Sequence, residues 1–169
     1  MKLKPLNYRT NNENISKFLE HHLKNDEINK TFQIDSSFIK EGVNKDVVDY
    51  AKALAFNLLE FKQNKKNNKI EIEVDKEHSL STSQLRSFFG EIRRIQFKGF
   101  KDSESSFYLL KPKLAYAVAK VKNGQTKYQL FKEVINSLLD EVTDEKEFKN
   151  FVEFIEAVVA YHKAFGGEQ

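Results

Sequence analysis

The side chains that most often perform chemistry show no catalytic spacing in this sequence. The four histidines, His21, His22, His78 and His162, are candidates for general bases or metal ligands. None of them stands four residues from another, which is the spacing that places two zinc ligands on one face of a helix. Asp75 precedes His78 by three residues, but both lie in a predicted connection, so we interpret this pair as accidental.

Other chemical motifs are missing from the sequence as well. The chain contains no cysteine, which excludes disulfides, thiolate nucleophiles and cysteine-ligated zinc fingers. The patterns GxxxxGK, GxGxxG and GxSxG, which indicate nucleotide binding or acyl transfer, do not occur. We therefore predict no catalytic residue, no bound metal and no cofactor, and we expect a protein that is not an enzyme.

Charge is the strongest functional signal in the sequence, because its sign changes along the chain. Residues 86–132 contain eleven Lys or Arg and three acids, whereas residues 133–169 contain nine acids and three lysines. The two segments carry formal charges of +8 and −6 within a chain whose net charge is +3. The basic segment favours a polyanionic partner such as a nucleic acid, although charge alone does not distinguish DNA from RNA.

Helices must position any functional residue in this chain, because helical periodicity dominates the sequence. Two prolines and six glycines provide few breaks, and no repeat or Pro-rich linker divides the chain. We predict one domain over residues 1–169 with an all-α fold, a compact bundle of five to six helices. The predicted helices are one around 15–23, then 44–62, 82–96, 111–122, one over 128–138, and a last helix that starts at Thr143 and is ended by Gly166 and Gly167.

Several local signals indicate where these helices begin. Asn44 is a plausible N-cap for the second helix. Ser81 and Gln84 have the spacing of a capping box, in which each side chain bonds a free amide of the other residue. Pro112 suits the first turn of the fourth helix, where its missing N–H costs nothing.

Three segments between the helices lack a clear helical pattern. The KQNKKNNK run after the second helix is too polar to bury, so it is predicted to be a loop. Residues 70–74, IEIEV, alternate with period two and form the only strand signature, but no partner strand is evident, so an extended connection is predicted. The KGFKDSESS segment is predicted to be a flexible loop.

The core is predicted to be rich in phenylalanine, because the chain has fifteen Phe and no Trp. His162 falls within the apolar stripe of the last helix, which favours a hydrogen-bonded core histidine over a ligand-binding one. Tyr161 lies beside that stripe and fits either role. The first residues lack the apolar stretch of a secretory signal, and no run approaches the roughly 18 apolar residues of a membrane span, so a cytoplasmic protein is expected.

The chain contains three blocks of sequence in a characteristic order: SQLR within STSQLRSFFGEIRRI, PKLAY within LLKPKLAYAVAK, and EAVVAYHK within FVEFIEAVVAYHKAFGG. Together they resemble the small subunit of type III-A CRISPR effector complexes, the Csm small subunit. The resemblance covers about residues 79–167, and residues 1–78 show only a compatible helical pattern. It implies a helical, non-catalytic subunit that stacks in several copies along a ribonucleoprotein used in antiviral defence.

The resemblance also implies partners, namely guide RNA, single-stranded target RNA, the other Csm subunits and further copies of this chain. Target cleavage and nucleotide cyclisation would belong to other subunits. Combined with the segregated charge, the position of the blocks predicts side chains that contact RNA phosphates without reading sequence, and a tyrosine that stacks on a base or bonds a phosphate. These residues are Arg86, Arg93, Arg94, Lys111, Lys113, Tyr116, Lys120, Lys122 and Lys163.

Two other functions remain open at this point. A helical DNA-binding regulator is one, because the helices at 82–96 and 111–122 follow one another, although ten or more residues separate them and a helix-turn-helix uses a tight turn. A protein–protein adaptor is the other, with lysines that only solvate its surface. The acidic segment is interpreted either as a protein-facing surface or as the solvated side of the last two helices.

Overall fold

The computed structural model describes residues 1–10 and 12–166, and these residues form nine α-helices and a small two-stranded sheet. A 3₁₀ turn, Lys101–Ser103, directly precedes the helix that begins at Glu104. Among the described residues, no helix has the length and apolar character that a bilayer span requires. The elements are α1 (Glu13–Glu20), α2 (Asn25–Ile28), α3 (Phe38–Glu41), α4 (Lys45–Asn57), β1 (Phe61–Lys66), β2 (Lys69–Val74), α5 (Thr82–Lys98), α6 (Glu104–Tyr108), α7 (Leu110–Ala119), α8 (Gln125–Leu139) and α9 (Glu145–Ala164).

The predicted helix starts are confirmed where a polar side chain caps the first turn. The Asn44 side chain accepts a hydrogen bond from the Val47 amide at 3.0 Å, and Ser81 accepts one from the Gln84 amide at 3.4 Å. The last helix is capped by Asp144, one residue after its predicted start. Its end lies beside Gly166, which has a left-handed φ of +101°, whereas Gly167 lies outside the described residues.

Helix α9 is the centre of the core, because α3, α4 and α5 all pack against it. It buries side chains on more than one face, among them Phe148, Phe151 and Phe154. The ring of Phe154 lies 5.3 Å from the ring of Phe38, measured between centroids, and the ring of Phe148 lies 5.6 Å from that of Phe100. The predicted phenylalanine-rich core is therefore confirmed.

The N-terminal segment adds to the same core as an extended strip. Leu6 forms an isolated antiparallel bridge with Phe32, and the Tyr50 hydroxyl of α4 donates to the Lys4 carbonyl at 2.8 Å. The Tyr8 ring is buried against the rings of Phe32 and Phe56, and this burial raises its pKa. One cluster of buried side chains thus joins the first ten residues to the last helix.

The prediction of a strictly all-α fold is wrong, because residues 61–74 form an antiparallel hairpin. Its register pairs Phe61 with Val74 and Lys66 with Lys69. Asn67 and Asn68 both adopt positive φ values, 50° and 61°, as a two-residue hairpin turn with strand-compatible twist requires. The KQNKKNNK run is therefore strand and turn rather than loop, and IEIEV has a partner.

The hairpin also shortens the helix that was predicted over 44–62. Helix α4 ends at Asn57, and Phe61 begins β1 instead of extending the helical stripe. The KGFKDSESS segment is a second correction, since it contains the 3₁₀ turn and α6 rather than a flexible loop. Phe100 and Phe107 fix this segment, because both rings are buried and their centroids lie 4.9 Å apart.

Candidate nucleic-acid interface

One exposed face of α5 carries three of the predicted RNA-binding residues. Arg86, Arg93 and Arg94 fall at spacings of seven and eight residues, which places them on one side of the helix. The opposite side of α5 buries Leu85 and Ile92 in the core. Because the apolar side faces α9 and the core, the arginines are directed to solvent, and all three are exposed.

Two of these arginines are held by neighbouring side chains. Arg93 donates to the Gln96 side chain at 2.7 Å and to Glu156 of α9 at 3.4 Å. Arg94 donates to Glu91 at 3.1 Å. Within residues 1–10 and 12–166, Arg86 has no hydrogen-bond or ion-pair partner. The α5 face therefore combines two positioned guanidinium groups with one that is free to meet a ligand.

Helix α7 contributes a second row of candidates beside α5. Lys113, Tyr116 and Lys120 follow one another at spacings of three and four residues, which places them on one face of α7, and all three are exposed at the edge of one cleft between α5 and α7. The Lys120 ammonium lies 5.0 Å from the centroid of the Tyr116 ring, and that tyrosine is 66% exposed. The cleft has a volume of about 320 Å³, and Leu114 and Phe88 contribute to its apolar wall.

Glu91 connects the two helices and therefore the two rows. Its carboxylate accepts from Arg94 of α5 and, at 3.1 Å, from Lys113 of α7. The hydrogen bond from Lys113 lowers the pKa of this carboxyl group, and the nearby charge of Arg94 acts in the same direction. Glu91 thus stays ionised and joins the arginines of α5 to the lysines of α7 in one basic surface.

The other three candidates lie apart from this surface to different degrees. Lys111 lies on another side of α7, where its ammonium pairs with Asp140 at the end of α8. Lys122 follows α7 and Lys163 lies near the end of α9; both are exposed, and neither has a partner among the described residues. Lys163 and Arg86 lie towards the same end of the α5–α9 contact, because the two helices run antiparallel, with Glu156 beside Arg93 and His162 beside Leu80.

His162 is a core residue, as the sequence predicted. Its side chain is 1% exposed, and its Nε2 lies 3.1 Å from the Leu80 carbonyl oxygen. Burial lowers the pKa of the ring, so the neutral form is favoured in the folded protein. Tyr161, which was left ambiguous, is half-buried, and the Lys52 ammonium lies 5.7 Å from its ring centroid.

The Asp75–His78 pair is a local structural contact in a turn. The His78 Nδ1 lies 2.8 Å from the Asp75 carboxylate, and this hydrogen bond lowers the pKa of Asp75. Asp75 also accepts from the Glu77 amide at 3.1 Å. In the part of the chain that the structure describes, no group of three or more His, Asp or Glu side chains could hold a metal ion.

The acidic segment mostly serves contacts within the molecule. Glu133 pairs with Lys4, and Asp140 and Glu156 pair with Lys111 and Arg93. Two further carboxylates accept from main-chain amides, since Glu145 accepts from Phe100 and Glu147 accepts from Thr143. Ion pairs and main-chain hydrogen bonds within the molecule therefore account for these five acids, for which the sequence left protein contact and solvation open.

The structure adds three residues that the sequence analysis did not select. Phe97 is 93% exposed at the end of α5, and Lys98 and Lys101 follow it, both exposed. The helical periodicity of α5 contained a usable signal, because Phe97 lies four and eleven residues after Arg93 and Arg86 and therefore shares their face. Phe97 was not selected because the fifteen phenylalanines of the chain were all expected to belong to the core.

The fold and this surface define a class of protein: a small, mostly helical chain that presents basic side chains from two neighbouring helices. The model of the family Csm2 Type III-A matches residues 62–168, which is more than half of the chain. The chain therefore belongs to the Csm2 Type III-A family, and it is a subunit of a type III-A CRISPR Csm complex. No curated protein matches the chain.

The family match confirms the resemblance to the Csm small subunit and extends it towards the N-terminus. It begins at residue 62, within β1, rather than near residue 79. The hairpin thus lies inside the part of the chain that matches the family.

Proposed function

We propose that this chain is the non-catalytic small subunit of the Csm complex and binds guide RNA and target RNA through phosphate contacts. The basic surface on α5 and α7 is the observation that supports this proposal most directly. Its cations are presented on two helices that the core and Glu91 fix relative to one another. Lys and Arg side chains held in this way follow a phosphate backbone without reading the bases.

In this proposal, several copies of the subunit stack along the ribonucleoprotein. The assembled complex acts in the cytoplasm and serves antiviral defence. Each copy then contributes a short length of basic surface to a longer groove. Weak binding by one copy is compatible with tight binding by the assembly, because linked sites raise the effective concentration of the RNA at the next site. The family membership supports the assembly with other Csm subunits.

The RNA-binding set is Arg86, Arg93, Arg94, Lys113, Tyr116, Lys120, Lys122 and Lys163, and Lys111 is expected to contribute least because Asp140 already pairs with it. If Z of these cations engage single-stranded RNA, log K falls against log[salt] with a slope of about 0.7Z. The test is a double charge reversal, Lys113→Glu with Lys120→Glu, measured by filter binding at two salt concentrations. Affinity should fall for all single-stranded RNA sequences alike.

A matched control changes the same total charge elsewhere on the molecule. Lys146 and Lys149 are exposed on α9, so Lys146→Glu with Lys149→Glu should affect RNA binding much less. Equal losses in the two double variants would show a general charge effect and contradict the site. Unchanged RNA affinity in the Lys113/Lys120 variant, both alone and in the assembled complex, would overturn the proposal.

Two measurements separate this proposal from the other functions that the sequence left open. A DNA-binding regulator would bind a defined DNA duplex more tightly than single-stranded RNA at both salt concentrations. A pure adaptor would bind neither nucleic acid, although it would still co-purify with the other Csm subunits and a guide RNA after co-expression. The proposal requires both co-purification and a loss of RNA contact in the variant complex.

A further inference from the structure

Phe97 is more exposed than any other large apolar side chain that the structure describes. Its side chain is 93% exposed, whereas Leu85, Ile92 and Ile95 of the same helix are buried. Burial of a phenylalanine side chain stabilises a folded protein, and the nearly fully exposed Phe97 contributes almost nothing of this kind. The ring lies on the arginine-bearing face of α5, so folding places it in solvent.

The surroundings of Phe97 are cationic and polar. A shallow depression on α5 is lined by Gly90, Arg93, Arg94, Gln96 and Phe97, and no acidic side chain of the described residues lines it. Gly90 leaves this depression open, since a methyl group in its place would touch nothing within 4 Å. A ligand can therefore approach the helix backbone between the arginines and reach the phenyl ring.

Two more cations follow directly at the end of the helix. Lys98 and Lys101 are exposed, and neither has a partner within the described residues. Arg93 is held in position by Gln96 at 2.7 Å, with its guanidinium carbon 5.9 Å from the ring centroid of Phe89. One accessible aromatic ring thus lines a depression together with two arginines that are held by other side chains, and two exposed lysines follow it in sequence.

This combination selects a ligand with flat apolar rings and closely spaced negative charges. Single-stranded nucleic acid has both, because each base offers a π-face and each phosphate offers a charge. We propose that Phe97 is a base-stacking residue, on which one nucleobase of the bound RNA lies while the flanking phosphates contact Arg93, Arg94 and Lys98. This inference rests on the proposed RNA-binding function and adds a base contact to its phosphate contacts.

A protein partner fits the same surface less well. The centres of protein–protein interfaces are enriched in aromatic residues and Arg but depleted in Lys, whereas the exposed Lys98 directly follows Phe97 and the exposed Lys101 lies four residues after it. Among residues 1–10 and 12–166, no second exposed apolar side chain lines the depression. A protein would have to bring acidic groups to every side of one inserted apolar side chain, while an RNA strand does so by its ordinary structure.

Three substitutions at Phe97 test the proposal in the full-length protein. Phe97→Ala should weaken binding to a single-stranded RNA oligonucleotide by about 5- to 150-fold, the range measured for loss of one stacked base. Phe97→Tyr keeps the ring and should bind RNA like the parent protein. Phe97→Leu keeps an apolar side chain without a π-face and should lose affinity. Melting temperatures should not change, because the side chain is exposed.

A probe without bases separates stacking from charge. Inorganic polyphosphate should bind the parent protein and Phe97→Ala equally, because only the phosphate contacts remain. The salt dependence of RNA binding should also be the same for both proteins, whereas Arg94→Ala should reduce its slope by about 0.7. Each measurement is made on the isolated chain and on the assembled Csm complex.

The outcomes distinguish failure of the base contact from failure of RNA binding. If Arg94→Ala weakens RNA binding and Phe97→Ala does not, the proposal that Phe97 stacks on a base is wrong, whereas the proposal of phosphate contacts is retained. If the parent protein binds RNA neither alone nor in the complex, both proposals fall. If Phe97→Ala keeps RNA affinity but loses co-purification with the other subunits, Phe97 is a protein contact and the stacking assignment is overturned.

Discussion

Glu91 is the one acid that α5 and α7 themselves contain, and its carboxylate pairs with two cations of their basic surface. Arg94 and Lys113 both donate to its carboxylate. An incoming phosphate must compete with this carboxylate for the same two donors. We therefore predict that Glu91→Gln strengthens RNA binding by about 2- to 5-fold, since one nearby negative charge is removed at a solvated surface.

The control for this prediction is another exposed acid. Glu153 lies on α9, and Glu153→Gln changes the net charge by the same amount. It should leave RNA affinity close to that of the parent protein, measured by filter binding at low salt. Weaker RNA binding in Glu91→Gln would show that Glu91 positions the two cations rather than competing for them.

Residue types in the site were predictable, but their partners were not. The segregated charge and the sequence blocks selected the basic residues of α5 and α7, because composition and helical periodicity are local properties. The ion pair between Glu91 and Lys113 joins residues 22 apart, and that between Arg93 and Glu156 joins residues 63 apart. Such pairs depend on how helices pack, which the sequence of each helix does not specify.

Helix α9 contains a buried titratable group, so its packing depends on pH. Burial lowers the pKa of His162 in the folded protein below its value in the unfolded chain. Acid therefore protonates the unfolded chain first, and folding stability falls as pH decreases through about 6.5, the usual histidine pKa. Above that pH the His162 ring is neutral in both the folded and the unfolded chain, so it no longer reduces folding stability.

A histidine replacement tests this dependence. Thermal melts between pH 7.5 and 5.5 should show a loss of stability in the parent protein that is smaller in His162→Gln. The Gln variant keeps a group that can bond the Leu80 carbonyl. His78→Gln is the control, because that ring is exposed and its hydrogen bond among the described residues lies within its own turn. An equal pH dependence in the parent and His162→Gln would contradict the assignment.

The elements that the sequence missed are those whose stability comes from neighbours. Strand β1 has only its first residue, Phe61, buried, so it lacks the alternating pattern that identifies a half-buried strand. Phe61 instead packs its ring on Phe18 and Phe56, with centroids 5.4 Å and 5.3 Å away. Helix α6 is likewise short and held by Phe107. The long helices were predictable because each carries its own apolar stripe.

At the scale of the whole molecule, we propose that the chain is one domain that unfolds in one step. Buried residues from the N-terminal strip, α4 and α9 belong to one cluster, in which Tyr50 contacts both the Lys4 carbonyl and the Phe154 ring. Melts followed by far-UV and near-UV circular dichroism should therefore coincide. Separate transitions would show that residues 1–60 form a unit of their own.

A cavity in the centre of the core should lower the melting temperatures measured by far-UV and by near-UV circular dichroism together. Phe154 is fully buried, so Phe154→Ala should reduce the free energy of unfolding by about 3–5 kcal/mol. Both transitions should shift to the same lower temperature, because this residue of the last helix packs its ring against Phe38 of α3 and Tyr50 of α4, which belong to the N-terminal half of the chain. Loss of only one transition would contradict the single domain.

The two ion pairs of Glu91, with Arg94 and with Lys113, have a consequence for how RNA would leave the proposed assembly. Without RNA, Glu91 neutralises part of this basic surface; if the surface binds RNA as proposed, each copy releases these ion pairs when a strand arrives and forms them again when it departs. In the proposed multi-copy complex, this exchange reduces the free energy that any one subunit holds. A bound strand would then detach one subunit at a time, as if unzipped, and short RNA fragments would be lost faster than long ones.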